Sequence, residues 1–482
     1  MSDFKVVYEK SRPGRTGFSL PVTKIGDSAV DNLIPEQFRR KEEPLLPEQS
    51  EPELVRHYIE LSLRNHHIDR GFYPLGSCTM KYNPKVNDAA AGLPGFANLH
   101  PLTGSENCQG ALELMYELAD LLARITGFNR ATVQPVAGAQ CELMGLLLIR
   151  AAMKKRGNVR KKILIPDSAH GTNPASVILS GYQVAQFKST ENSMISADHI
   201  REVMDEDTAG IMITNPNTLG LFESEIEEIA KIVHDAGGLL YMDGANLNAL
   251  LGQARPADMG FDIVHYNLHK TMSTPHGGGG PGAGALGITD ELIPFLPTPV
   301  VEKRGDEYYL DYDRPDSIGR MHSFYGNFGI MVRAYTYIRH LGAVGLKRVS
   351  ENAVLNANYL KERLKGTYEL PNDRICQHEF VLSGNLQKKK GARTSDIAKR
   401  LLDYGIHAPT IYFPLIIPEA IMIEPTETES KDMLDYFVDT MLKIDEEISS
   451  DAEMVKGAPY TTPVRRLDEV KATKTLDVNY QD

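Results

Sequence analysis

Six short apolar runs separated by helical stretches constrain this chain more than any other feature. They lie at residues 131–134, 162–165, 183–187, 210–214, 239–242 and 262–266. Helical patterns stand between most of them, notably over 142–155 and 223–236. Strands that are apolar along their length are covered on both faces, and strands that alternate with helices build a mainly parallel sheet. The predicted class is therefore α/β. In such sheets ligands sit outside the carboxyl ends of the strands, so polar residues at those ends are candidates for function.

Two of these ends carry complementary chemistry. Asp243 closes one run within Tyr241–Met242–Asp243–Gly244–Ala245, and Lys270 follows the next within Asn267–Leu268–His269–Lys270–Thr271. Most lysines are solvated surface groups, but one at the end of a buried strand is partly desolvated and keeps a nucleophilic amine. Asp243 could merely cap an Asp-Gly turn. Taken together, the pair suggests pyridoxal 5'-phosphate (PLP), with Lys270 as its Schiff base and Asp243 holding the pyridine nitrogen protonated. His170, beyond the 162–165 run, is either structural or stacked on the ring, while His269 is expected to be structural.

Phosphate asks for backbone N–H groups at a helix start. The turn Val136–Ala137–Gly138–Ala139–Gln140 offers them at Gly138, Ala139 and Gln140, although it also reads as an ordinary βα loop. The glycines at 277–280 suit either a flexible surface loop or close approach of backbone to a ligand. No GKS or GKT follows them and no GxGxxG opens a helix after the first strand, which excludes a P-loop and disfavours a dinucleotide site.

Bulk properties exclude other classes. A net charge of −12, with no basic cluster longer than Lys388–Lys390, argues against nucleic-acid binding. The four cysteines show no paired metal spacing and read as reduced thiols of a cytoplasmic protein. No metal site is expected. The amino terminus lacks the apolar core of a signal peptide, and no run approaches the roughly 20 residues of a membrane span.

Three regions are expected. Residues 1–64 form an extended arm with one weak helix over 53–63, and 65–325 form a large PLP-binding domain that opens on a Gly- and Pro-rich loop at 71–80. Residues 326–482 form a smaller α+β domain with a polar tail from about 449. That last region has a long helical stretch to about 365, a strand at 379–382, and helices at 395–404 and 431–448. Thr426 and Glu429 have capping-box spacing ahead of the final helix.

Longer motifs carry a family resemblance. They are YEKSRPGR at 8–15, GFYPLGSCTMKY at 71–82, GALELMYEL at 110–118, AHGTNPAS at 169–176 and TNPNTLGLFE at 214–223. Residues 267–284, SIGRMHSFYGN at 317–327 and IMIEPTETES at 421–430 complete the set. In this order they resemble the P-protein (glycine decarboxylase) family of the glycine cleavage system, most closely its second subunit where the enzyme is split into two chains. The resemblance implies the aspartate aminotransferase-like fold (fold type I), Lys270 as Schiff-base lysine, Asp243 as pyridine partner, His170 as stacking residue and residues 138–140 at the phosphate. It also implies release of CO2 from glycine and transfer of the aminomethyl group to the lipoyl arm of a separate H-protein. The expected assembly is a heterodimer with subunit 1, or a dimer of heterodimers.

Arg320 is a candidate for the glycine carboxylate, with a structural salt bridge as the alternative. Two departures from the family pattern stand out. Cys141 replaces a glycine at the helix start, where it could crowd the cofactor, and Leu102–Thr103–Gly104–Ser105 replaces an aromatic-proline segment. The rival readings are another fold type I PLP enzyme and a cofactor-free subunit that supports an active partner.

Overall fold

The computed structural model describes residues 4–19, 33–42, 44–277 and 281–480. The chain divides into two units, residues 1–70 with 458–482, and residues 71–457.

In the first unit, the helix Glu51–Leu63 begins two residues before the expected start. Its start is set by Ser50, whose N–H is accepted by the Glu53 carboxylate at 3.1 Å. Tyr8 from the beginning of the chain stacks on Tyr480 near its end, with ring centroids 4.6 Å apart.

The second unit is built on a seven-stranded sheet. Its strands are β1 (Arg130–Thr132), β2 (Lys162–Pro166), β3 (Gln183–Phe187), β4 (Thr208–Thr214), β5 (Leu239–Asp243), β6 (Ile263–Asn267) and β7 (Gly284–Ile288). They lie in the order β1-β7-β6-β5-β4-β2-β3. Strands β3, β2, β4, β5 and β6 run parallel, and β7 pairs antiparallel with both β6 and β1. All six expected strands are present, to within two residues. Strand β7 was not anticipated because its sequence, Gly-Ala-Leu-Gly-Ile, carries two glycines that depress strand propensity.

The continuous apolar runs have a direct cause. Along β5, Leu239 and Tyr241 enter one core, while Leu240 and Met242 enter the core on the opposite face. Each face thus receives alternate residues, and both must be apolar. The helix Gln109–Thr126 turns Leu118 and Leu122 into one of these cores and stops at Gly127, whose φ of 84° favours glycine.

A hairpin of β8 (Val300–Arg304) and β9 (Glu307–Asp311) follows. A second sheet contains β10 (Phe380–Ser383), β11 (Thr410–Ile411) and β12 (Ala420–Ile423), all antiparallel in the order β10-β12-β11. It has its own core, where Phe380, Leu382, Ile421 and Ile423 meet Leu434, Phe437 and Met441 of the helix Lys431–Lys456. The long helix Phe328–Leu364 is broken at Gly342. Its first part contributes Met331 and Ile338 to the core of the large sheet, and its second part contributes Leu360 and Leu364 to that of the small one. This separation supports the division at residue 326, which we retain as a proposal. The capping expectation needs correction. The final helix is capped by Ser430, which accepts from Met433 N–H, whereas the Thr426 hydroxyl pairs with Thr428.

Candidate functional site

A cavity of about 170 Å³ opens at the carboxyl ends of β4, β5 and β6. Asp243, Lys270, His170, Gly138 and Ala139 all line it, so the fold brings five of the seven residues singled out from sequence to one place. Asp243 is the last residue of β5, and Lys270 stands three residues beyond β6. The Lys270 Nζ donates to the Ser77 carbonyl at 2.6 Å and to Asn246 Oδ1 at 3.1 Å. Asn246 is itself oriented, because its Nδ2 donates to Glu424 at 3.0 Å. The chain Glu424–Asn246–Lys270 therefore aims the amine.

Asp243 is buried yet well supplied with donors. Asn173 Nδ2 donates to Oδ2 at 3.0 Å, the Ala245 N–H to Oδ1 at 3.1 Å, and His265 Nε2 lies 3.3 Å from Oδ1. Burial alone would raise its pKa, but His265, these hydrogen bonds and the Lys270 charge together hold it below the ordinary aspartate value. It is an anion at neutral pH, as a partner for a protonated pyridine requires. His170 reaches the cavity from the loop after β2, with its Nδ1 2.8 Å from the Thr172 hydroxyl.

The phosphate expectation divides. The helix Gly138–Lys155 starts at the cavity, four residues earlier than its apolar pattern suggested, and no side chain caps its first turn. Its leading N–H groups are thus available to an anion. A Cβ on Gly138 would come within 2.9 Å of the Asn267 amide, so any other residue would displace that side chain. The Gln140 side chain, by contrast, is not in the cavity lining. It accepts from Val136 N–H at 2.8 Å and donates to the Met321 carbonyl at 2.9 Å, bracing the turn. Cys141 does not crowd the helix start either. Its thiol is fully buried and directed at Gly284, where a Cβ would approach the sulfur to 2.2 Å.

The residues present fit PLP. An amine and a carboxylate share one cavity with an uncapped helix start, and Thr214 Oγ1, Asn215 Nδ2 and Asn267 Oδ1 are buried cavity-lining groups without a protein partner. Such orphaned polar atoms are costly unless a polar ligand satisfies them.

Arg320 is not brought to this cavity. It is exposed, lies over the Tyr312 ring at 5.9 Å, and lines a separate depression with Leu102 and Met321. Among the described residues, Lys270 is the only lysine or arginine lining the cavity. Gly278, Gly279 and Gly280 fall outside the described residues, while Gly277 has a φ of 73°. Sequence reasoning missed Ser77, Asn246, His265, His378 and Glu379, which also line the cavity. A signal for Ser77 was present in the Gly- and Pro-rich loop at 71–80, where Ser77 and Thr79 take positive φ values of 64° and 48°.

His269 stands beside the lysine but outside the cavity lining, with its Nδ1 2.9 Å from the Ala283 carbonyl. Burial, aided by His276 and Lys270, lowers its pKa to about 4. The unfolded chain takes up this proton near pH 6.5, so the folded protein loses stability as pH falls from 6.5 towards 4, by an amount on the order of 3 kcal/mol. Urea unfolding of cofactor-free protein across this range should show a shallower pH dependence for His269→Asn than for the wild type. Equal slopes would contradict the assignment.

Comparison with known proteins adds the family. Residues 19–308 match the family model described as glycine cleavage system P-protein, and residues 349–460 match glycine dehydrogenase, C-terminal domain. A relative from Halalkalibacterium halodurans, named "Probable glycine dehydrogenase (decarboxylating) subunit 2", is 58% identical over 480 residues, covering 99% of this chain and 98% of its own. One of the same name from Chloroherpeton thalassium is 57% identical over 479 residues, covering 98% and 97%. Among solved structures, an inhibitor-bound glycine decarboxylase (P-protein) of the glycine cleavage system superposes with a TM-score of 0.74 at 19% identity, over 89% of this chain and all of that one. Glutamate decarboxylase of Lactobacillus brevis gives 0.67 at 14% identity, over 86% and 96%. At those identities the two structures speak for the fold, which is that of fold type I PLP enzymes.

Proposed function

The chain belongs to the P-protein family of the glycine cleavage system, and from that premise we propose how its residues serve the family's reaction. The protein is a PLP-dependent glycine decarboxylase of that system. The observation that carries the residue assignment is the shared cavity, with the Lys270 amine and the Asp243 carboxylate on its walls and the uncapped helix start at Gly138 in its lining.

When bound, PLP supplies an electron sink for the bond that breaks at the glycine Cα. Lys270, the only lysine or arginine in the cavity lining among the described residues, would hold the cofactor through its amine. Ser77 and Asn246 accept from that amine and hold it at the cavity wall. Asp243 would keep the ring nitrogen protonated, His170 would stack on the ring, and the N–H groups of residues 138–140 would take the phosphate. Gln140 acts here through its backbone, since its side chain braces the turn. The role first considered for Arg320 is not retained, because its side chain lines a different depression.

The aminomethyl group passes to the lipoyl arm of a separate H-protein. The name "subunit 2" among the relatives supports a partner chain, subunit 1, in a heterodimer or dimer of heterodimers. Exposed Val55, Tyr58, Ile59 and Leu63 on the helix Glu51–Leu63 support such a contact. Among the described residues, no helix is long and apolar enough to cross a membrane, and all four cysteines are free thiols, which supports a cytoplasmic location.

The test is exchange of labelled bicarbonate into the carboxyl group of glycine. The PLP-loaded protein, with subunit 1 and lipoylated H-protein, should catalyse exchange with glycine and not with glutamate or alanine. Exchange into a larger amino acid instead would favour a different fold type I decarboxylase.

A further inference from the structure

The Asp243 carboxylate does not stand alone. Register pairs Asp243 of β5 with His265 of β6, so the two side chains leave the sheet abreast. Tyr241, two residues before Asp243 on the same strand, shares that face. Its hydroxyl lies 2.9 Å from His265 Nδ1, and His265 Nε2 lies 3.3 Å from Asp243 Oδ1. All three residues are buried, with relative exposures of 0%, 1% and 4% for Tyr241, His265 and Asp243. Space for the phenol is provided by Gly145, where a Cβ would come within 2.2 Å of the ring. Glu142 has a carboxylate oxygen within 4.8 Å of the Asp243 and His265 atoms, but the hydroxyls of Thr172 and Ser176 occupy it at 2.7 and 2.8 Å.

Proton accounting gives this row a direction. Burial pushes the Tyr241 phenol well above its ordinary pKa, so it keeps its proton. Among the described residues that proton has one acceptor in reach, the Nδ1 of His265. An imidazole that accepts at Nδ1 carries its hydrogen on Nε2, which faces the Asp243 carboxylate. The reverse order would leave the phenol proton without an acceptor. It would also either charge a fully buried imidazole or turn its lone pair towards the carboxylate.

We propose that His265, locked as its Nε2–H tautomer by the Tyr241 hydroxyl, is a positioning residue that fixes the orientation and charge of Asp243 and, through it, the proton on the cofactor's ring nitrogen. The inference rests on the reading of Asp243 as the pyridine partner. Removing the Tyr241 hydroxyl frees His265 to change tautomer. The carboxylate then loses one of its three donors, and the ring proton is held less firmly.

The experiment uses protein loaded with ¹⁵N-ring-labelled PLP, in complex with subunit 1, and reads the ring-nitrogen resonance by solid-state NMR beside the PLP dissociation constant. In Tyr241→Phe the resonance should move from the pyridinium position towards neutral pyridine, and the dissociation constant should rise about tenfold, the size of one lost buried hydrogen bond. His265→Leu should behave likewise. His265→Gln, whose amide reaches the Nε2 position, should restore the wild-type signal. Thermal melts identify any variant that fails to fold, and Tyr241→Phe, which leaves the ring shape intact, then decides alone. A wild-type resonance and affinity in folded Tyr241→Phe would overturn the inference, as would a Gln variant no better than Leu. A wild-type protein whose ring nitrogen is neutral from the start would instead overturn the pyridine-partner reading beneath it.

Discussion

Lys270→Ala should lose the absorbance of the lysine-bound cofactor and no longer release CO2 from glycine. The visible absorbance of a lysine-bound cofactor needs a nitrogen in covalent conjugation with the pyridine ring, and among the described residues Lys270 is the only lysine lining the cavity. The rate should fall by about 10⁴-fold or more, as for removal of a covalent catalytic group. Asp243 and the helix start remain in the variant to hold cofactor non-covalently, so the decisive readouts are spectral and chemical. Borohydride reduction of the loaded wild-type protein, followed by digestion, should attach the pyridoxyl mass to the peptide containing Lys270. An unchanged spectrum in Lys270→Ala, or a borohydride-fixed label on another lysine, would refute the covalent assignment.

The second large effect concerns stability and a different lysine. Lys81 is buried with a side-chain exposure of 1%, and its Nζ lies 2.6 Å from Glu427 Oε1, 2.8 Å from the Thr271 carbonyl and 3.1 Å from the Tyr337 hydroxyl. Burial disfavours its charge, but the Glu427 carboxylate outweighs burial and raises its pKa, so the pair is ionic. Lys81→Met keeps the volume and leaves Glu427 without its counter-charge in a site where that side chain is 8% exposed. The expected loss is about 3–5 kcal/mol. Replacing both partners, Lys81→Met with Glu427→Leu, should recover most of it, because the penalty comes from the stranded charge. Denaturant unfolding of Lys81→Met, Glu427→Leu and the double variant closes the cycle. A double variant as unstable as the single one would show that packing, not charge, is the cause. Since Lys81 holds the carbonyl of Thr271, next to Lys270, the single variant should also bind PLP more weakly.

Much of the site was legible because its two chemical poles sit at the ends of apolar strands. A strand covered on both faces has to be apolar, so the first charged residue after it marks the sheet edge. That is why Asp243 and Lys270 could be singled out from their neighbours. Gly138 and Ala139 followed from the turn between a strand and a helix. Gln140 was singled out from the same turn, but its side chain braces that turn through the distant Met321 carbonyl. Arg320 failed for the same kind of reason. Its neighbourhood depends on how residues 312–325 fold back, and no local pattern reports that.

The covalent order of residues determined the α/β class, the parallel core of the sheet and the amine–carboxylate pair, because these follow from periodicity and from where apolar runs end. Tertiary structure alone decided what surrounds the pair. Ser77 meets Lys270 across 193 positions of chain, Thr79 meets Glu424 across 345, and His265 comes abreast of Asp243 only through the pairing of β5 with β6. Such contacts depend on strand register and loop closure, quantities fixed by the cooperative packing of the whole unit rather than by any segment within it.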